Sequence, residues 1–132
     1  MTKKNIKNIT DYWRETAQHD YDTMIGLFKI KRYSDCLFYG HIVLEKILKA
    51  LAVKHTQKQA PYIHDLVRLQ EIAELCLNEK ELDLLDTVND FNIRARYPEY
   101  KLRFYKTCTR QYAEKHLKSI IHLYKRLCQT LK

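Results

Sequence analysis

Between Asn92 and Tyr112 the chain interleaves six cationic side chains (Arg94, Arg96, Lys101, Arg103, Lys106, Arg110) with five aromatic ones (Tyr97, Tyr100, Phe104, Tyr105, Tyr112). Guanidinium forks grip phosphate oxygens through paired hydrogen bonds, and aromatic faces accept bases by stacking. Such a mixture suits a nucleotide, single-stranded RNA or an acidic partner. The same residues equally fit an amphipathic helix with Phe104, Tyr105 and Tyr112 in the core and a solvated basic face. From Arg94 to Lys132 there are eleven basic residues and two acids, Glu99 and Glu114, so this stretch carries +9. The preceding 93 residues carry −1, and the whole chain +8. So uneven a distribution gives one region of the surface a positive potential.

Other constellations carry weaker chemistry. His41 and Glu45 stand four apart and would lie side by side on a helix, but no third metal ligand is visible. Glu45 also precedes Lys49 by four residues, the favourable order for a helical ion pair, and His41 reads as a hydrogen-bonded, partly buried residue. His64-Asp65 suits a helix start. Cys36, Cys76, Cys108 and Cys128 show no metal-knuckle or redox spacing and no evident His/Asn partner; they read as small buried thiols of a reduced cytoplasmic protein. Gly26 and Gly40 are the only glycines, each within a helical stretch, which excludes a glycine-rich phosphate loop.

Positioning these residues falls to helices. The 132 residues suit one domain with its own core, and two Gly and two Pro are too few for many short strands joined by tight turns. No stretch approaches the roughly 18 apolar residues of a membrane span, and the basic N-terminus lacks the apolar block of a secretory signal. The spacing predicts five helices. The first covers about Thr10 to Lys31 (Trp13, Ala17, Tyr21, Met24 and Phe28 inward), with Thr10-Asp11 as its capping start. The second covers about Ser34 to His55, capped by Ser34 or Asp35, with a broad stripe of Leu37, His41, Leu44, Leu48 and Leu51 that implies several neighbours. A third from His64-Asp65 carries Leu66, Leu69, Ala73 and Cys76. The fourth covers about Glu79 to Ile93. Tyr97-Pro98 breaks the run, since the residue before proline is pushed out of the α region. The fifth covers about Leu102 to Leu131, with Tyr105, Cys108, Tyr112, Ala113, Leu117 and Ile120 inward. The architecture is an all-α antiparallel up-and-down bundle of four to five helices, a single domain over 1–132.

Taken in order, several motifs resemble the HEPN domain family. Trp13 with Ala17 and Asp20 resembles its opening helix, and Lys31-Arg-Tyr33 followed by Cys36 resembles its first turn, where glycine-x-tyrosine is usual. His41-x3-Glu45-Lys46-x2-Lys49-Ala50, Pro61-x2-His64-Asp65-Leu66 and Arg96-Tyr97-Pro98-Glu99 resemble the core of its second helix, the start of its third and the Arg-Tyr-Pro-acid signature of one large branch. The resemblance implies an up-and-down bundle, often a homodimer, often paired with a separately encoded minimal nucleotidyltransferase in toxin–antitoxin arrangements. Its catalytic branch implies a metal-independent ribonuclease with an Arg-x(4–6)-His motif after the helix that ends here near Ile93. This chain departs from that motif: neither Arg94 nor Arg96 is followed by histidine at that spacing, and Arg110-x5-His116 falls elsewhere.

The leading expectation is a non-catalytic domain, without metal or cofactor, that binds a nucleotide or a nucleotidyltransferase partner. Arg94, Arg96 and Tyr97 form its functional cluster, with Lys101 and Arg103 as electrostatic support. The alternatives are a ribonuclease toxin using Arg110 and His116, with two copies of the last helix composing the site, and a dimerisation scaffold.

Overall fold

A 24-residue segment with apolar residues on nearly every side can be satisfied only at the centre of a bundle, and that is where the second helix lies. The computed structural model describes residues 1–132 and contains six helices and no strand: α1 (Lys3–Lys29), α2 (Tyr33–Thr56), α3 (Leu66–Ile72), α4 (Glu79–Arg96), α5 (Pro98–Thr107) and α6 (Arg110–Leu131). Thirteen residues of α2 are buried, and α1, α3, α4, α5 and α6 all pack against it. Asp20 pairs with Lys46 at 2.6 Å and Trp13 faces Lys49, so α1 runs antiparallel to α2. Gly40 lies beside Ile120, and Lys54 at the end of α2 donates to the Leu131 carbonyl at the end of α6 at 2.6 Å, so α2 and α6 run parallel. Phe91 meets Tyr112 and His116 near the start of α6, while Glu81 binds Arg126 near its end, so α4 runs antiparallel to α6. The four long helices therefore go up, down, up and down. No helix is long and apolar enough to cross a membrane.

Most departures from the expected boundaries have local causes. The first helix starts at Lys3 instead of Thr10, because Ile6 extends the apolar stripe one turn back and the Thr2 side chain caps Asn5 N–H at 3.1 Å. Thr10 is interior, its hydroxyl donating back to the Ile6 carbonyl. Neither Ser34 nor Asp35 caps α2. The α1–α2 connection is so tight that Arg32 is the capping residue, without a side-chain bond, and both fall in the first turn. α3 stops at Ile72, since Glu74 takes a left-handed backbone (φ 51°), and Cys76 beyond it is exposed. α4 begins with a full capping box between Asn78 and Glu81, and runs to Arg96. Tyr97 is extended (ψ 129°), as expected before proline, but Pro98 opens a new helix at its first position. The long fifth helix is thus two. Its break falls at Cys108-Thr109, where the Thr109 hydroxyl oxygen accepts from Tyr112 N–H at 3.2 Å. The break resets the register of α5: Phe104 is fully buried against Phe91, and Tyr105, expected inward, is 45% exposed.

Because α2 is enclosed, its polar residues are bonded internally. His41 Nε2–H donates to the His64 carbonyl at 2.9 Å, the His64 ring bonds one Glu45 oxygen at 2.9 Å, and Lys49 pairs with the other at 3.1 Å. The buried Lys49 ammonium lies 5.1 Å from the Trp13 ring centroid. Asn89 of α4 accepts from Leu66 N–H and donates to Asp65, whose carboxylate caps α3. Removing one partner of such a pair strands a charge. Lys49→Ala is expected to lower unfolding free energy by about 3 kcal/mol, read from urea unfolding.

The α1–α2 turn and the buried imidazole generate two more expectations. Lys31 ends α1 in the left-handed region (φ 65°), where a side chain costs roughly 1 kcal/mol or more relative to glycine. Lys31→Gly should therefore raise the urea midpoint, corresponding to about 1 kcal/mol. Burial holds His41 below the usual imidazole range, despite the opposing pull of Glu45. The unfolded chain then binds more protons as pH falls through about 6.5, so stability drops between about pH 7 and pH 5. Urea midpoints of His41→Gln should fall less steeply over that window than those of wild type.

Candidate functional site

The basic and aromatic residues after Ile93 sit on the last turn of α4, the Tyr97 corner and α5. Arg94 and Arg96 are two residues apart on one helix, so their side chains leave it roughly 200° apart. Arg94 turns inward and is only 23% exposed: its guanidinium stacks over Phe104 at 5.0 Å, donates to the Thr107 hydroxyl at 3.3 Å and lies 3.8 Å from the Asp90 carboxylate. It also faces Tyr112, whose hydroxyl burial pushes up and Arg94 pulls back down. Arg94 therefore ties α4 to α5 and does not join the expected cluster.

Arg96 turns the other way. With Lys101, Ala95, Asp35 and Phe38 it lines a recess of about 350 Å³ between the end of α4, the start of α5 and the first turns of α2. Neither Arg96 nor Lys101 is within ion-pairing distance of a carboxylate, and Asp35 only partly offsets their charge. Tyr97, the residue after Arg96, is 52% exposed, and Tyr100 and Tyr105 of α5 are exposed as well, though none of the three lines the recess. Arg103 leaves α5 roughly 200° from Lys101 and adds its charge to the opposite flank. Of the five expected residues, Arg96 and Lys101 share the recess, Tyr97 is exposed next to Arg96 without lining it, Arg103 stands aside, and Arg94 is internal. Asp35 and Phe38 were missed by sequence reasoning because only the antiparallel packing of α4 on α2 brings them there.

Arg110 and His116 point apart within one chain. Arg110 lies over the Phe28 ring of α1 at 5.9 Å, whereas His116 is set edge-on to Tyr112 at 4.5 Å and to Phe91 at 5.2 Å. Burial, with help from Lys115, holds His116 below the usual imidazole range. Cys36 and Cys108 are pushed up to about 12 by burial, which leaves both thiols protonated and unreactive. No three His, Cys, Asp or Glu side chains converge as metal ligands.

Comparison with known proteins places this geometry in a family. The crystal structure of TT1696 from Thermus thermophilus is similar in fold, with a TM-score of 0.75 and 20% sequence identity, over 91% of this chain and 96% of that one. No curated protein matches the sequence. The HEPN domain profile matches residues 10–131, nearly the whole length. This helical chain, with Arg96-Tyr97-Pro98-Glu99 at the corner between α4 and α5, belongs to the HEPN domain family.

Proposed function

We propose that the chain is a non-catalytic HEPN domain that binds the phosphates of a nucleotide in the Arg96–Lys101 recess and works with a separately encoded minimal nucleotidyltransferase. The observation that carries this reading is the pair of unpaired cations, Arg96 and Lys101, that share one recess with Phe38 as an apolar wall, on a stretch whose tyrosines are exposed. A recess of about 350 Å³ is within the usual range for small-molecule sites. Arginine and lysine stabilise phosphate charge but exchange protons poorly at neutral pH, which favours binding over cleavage. Ile93, Leu102 and Tyr105 are exposed along the same stretch and supply apolar area for a protein partner.

The ribonuclease alternative rests on His116, a neutral imidazole beside Tyr112. With Arg110 turned to Phe28, it needs a second copy of the chain to complete a site. Intact RNA after incubation with the purified protein, and normal growth of cells expressing it, exclude that alternative.

Calorimetric titration with ATP and GTP tests the binding reading. Arg96→Ala and Lys101→Ala should each weaken binding about tenfold, the worth of one charge-assisted hydrogen bond, and leave the unfolding midpoint unchanged. Arg94→Ala should do the reverse, lowering stability by about 1 kcal/mol through the lost stacking on Phe104 while leaving affinity within about twofold. Equal affinities for wild type and Arg96→Ala would remove the recess from consideration.

A further inference from the structure

At the opposite end of α2, about 28 Å along the helix from Asp35, lies a larger opening. α1 and α6 touch where Tyr21 stacks on Tyr124 (centroids 4.8 Å apart) and the Tyr124 hydroxyl donates to Gln18 at 3.0 Å. Toward the start of α1 the two helices part, leaving a groove of about 690 Å³ that Lys54 and Gln57 from the end of α2 also line. Its α1 wall spans Lys3 to Gln18, about 22 Å of helix, which is the length of a short helical or extended segment. The floor is apolar, with Ile6, Cys128 and Leu131.

The rim is cationic. Lys3, Lys7, Arg14, Lys54 and Lys132 line the groove against a single carboxylate, Asp11. Lys54 is occupied by the terminal carbonyls of α6, and Asp11 is shared by Lys7 at 2.8 Å and Arg14 at 3.6 Å. Arg14 also lies 3.7 Å from the exposed Glu15, whereas Lys3 and Lys132 have no ion-pair partner, so the two carboxylates leave the rim net positive. Asp11 itself is held below the usual carboxylate range, first by its bond to Lys7. A two-fold contact with the same face of a second copy would bring like charges together.

We propose that this groove is a docking site for an acidic amphipathic helix of a partner protein, its apolar stripe on Ile6, Cys128 and Leu131 and its carboxylates on Lys3, Lys7, Arg14 and Lys132. The elongated shape favours a segment over a compact ligand, and the charge selects its sign. The site lies at the other end of the bundle from the Arg96–Lys101 recess and stands independently of it.

The probe is a fluorescent helix-forming peptide of about four turns, with leucines at i, i+3 and i+7 flanked by glutamates, followed by anisotropy. Micromolar binding that weakens with salt is expected, together with amide shifts in the labelled wild-type protein along residues 3–18 and 124–132. The double variant Lys7→Glu/Arg14→Glu should bind at least about tenfold more weakly while keeping its helical circular dichroism. Arg96→Ala/Lys101→Ala should bind as wild type does. Equal binding of a sequence-scrambled peptide, displacement of the peptide from the groove by ATP or inorganic phosphate, or self-association of the protein abolished by Lys7→Glu/Arg14→Glu would each overturn the proposal.

Discussion

The close approach of α2 to α6 governs the rest of the molecule. A Cβ built on Gly40 would lie 2.7 Å from Ile120 Cδ1, so the tip of Ile120 fills the space beside Gly40 where the two parallel helices meet. With α6 seated there, α1 and α4 occupy the two remaining sides of α2, and the central helix has no solvent face along most of its length. Its polar residues must then find partners inside. His41, Glu45 and Lys49 do so by reaching the His64 carbonyl, the His64 ring and the Trp13 face. Two openings lie near the two ends of α2, and both are lined by cations.

The same packing divides the positive charge by role. Arg94 and Arg110 lie against Phe104 and Phe28, where a guanidinium adds cation–π attraction to packing, and Arg94, largely enclosed, is withdrawn from any ligand. Arg126 binds Glu81 and joins the ends of α4 and α6. Arg96 at the end of α4 and Lys101, Arg103 and Lys106 on α5 stay on the surface beside exposed tyrosines, as do Lys115, Lys118, Lys125 and Lys132 further on. The surplus of cations over acids in the last third of the chain is therefore partly bundle architecture and partly an accessible field. Only the second part is available to a phosphate or a carboxylate.

Much of this was legible in the residues themselves. The broad stripe of α2 called for several neighbours, Tyr97-Pro98 marked the corner, and Glu45 preceding Lys49 announced their ion pair. The break inside the last helix was not legible, because Thr109 becomes a cap only when Cys108 leaves helical geometry, and the surrounding residues favour helix on both sides. The early start of α1 rested on the lone Ile6. The splitting of Arg94 from Arg96 was implied by their two-residue spacing, but which of them faced inward depended on Phe104 and Thr107, placed by a helix boundary that local patterns left hidden. Asp35 and Phe38 reach the recess from some sixty residues away, beyond the range of any local pattern.

The binding face is tested most directly by mapping amide chemical shifts of the labelled protein during titration with ATP. Shifts confined to the first turns of α2, around Asp35 and Phe38, and to the stretch from Arg96 to Lys106 are the expected result. Shifts centred on Arg110 and His116, or none at saturating nucleotide, would contradict a nucleotide-binding role for the corner between α4 and α5.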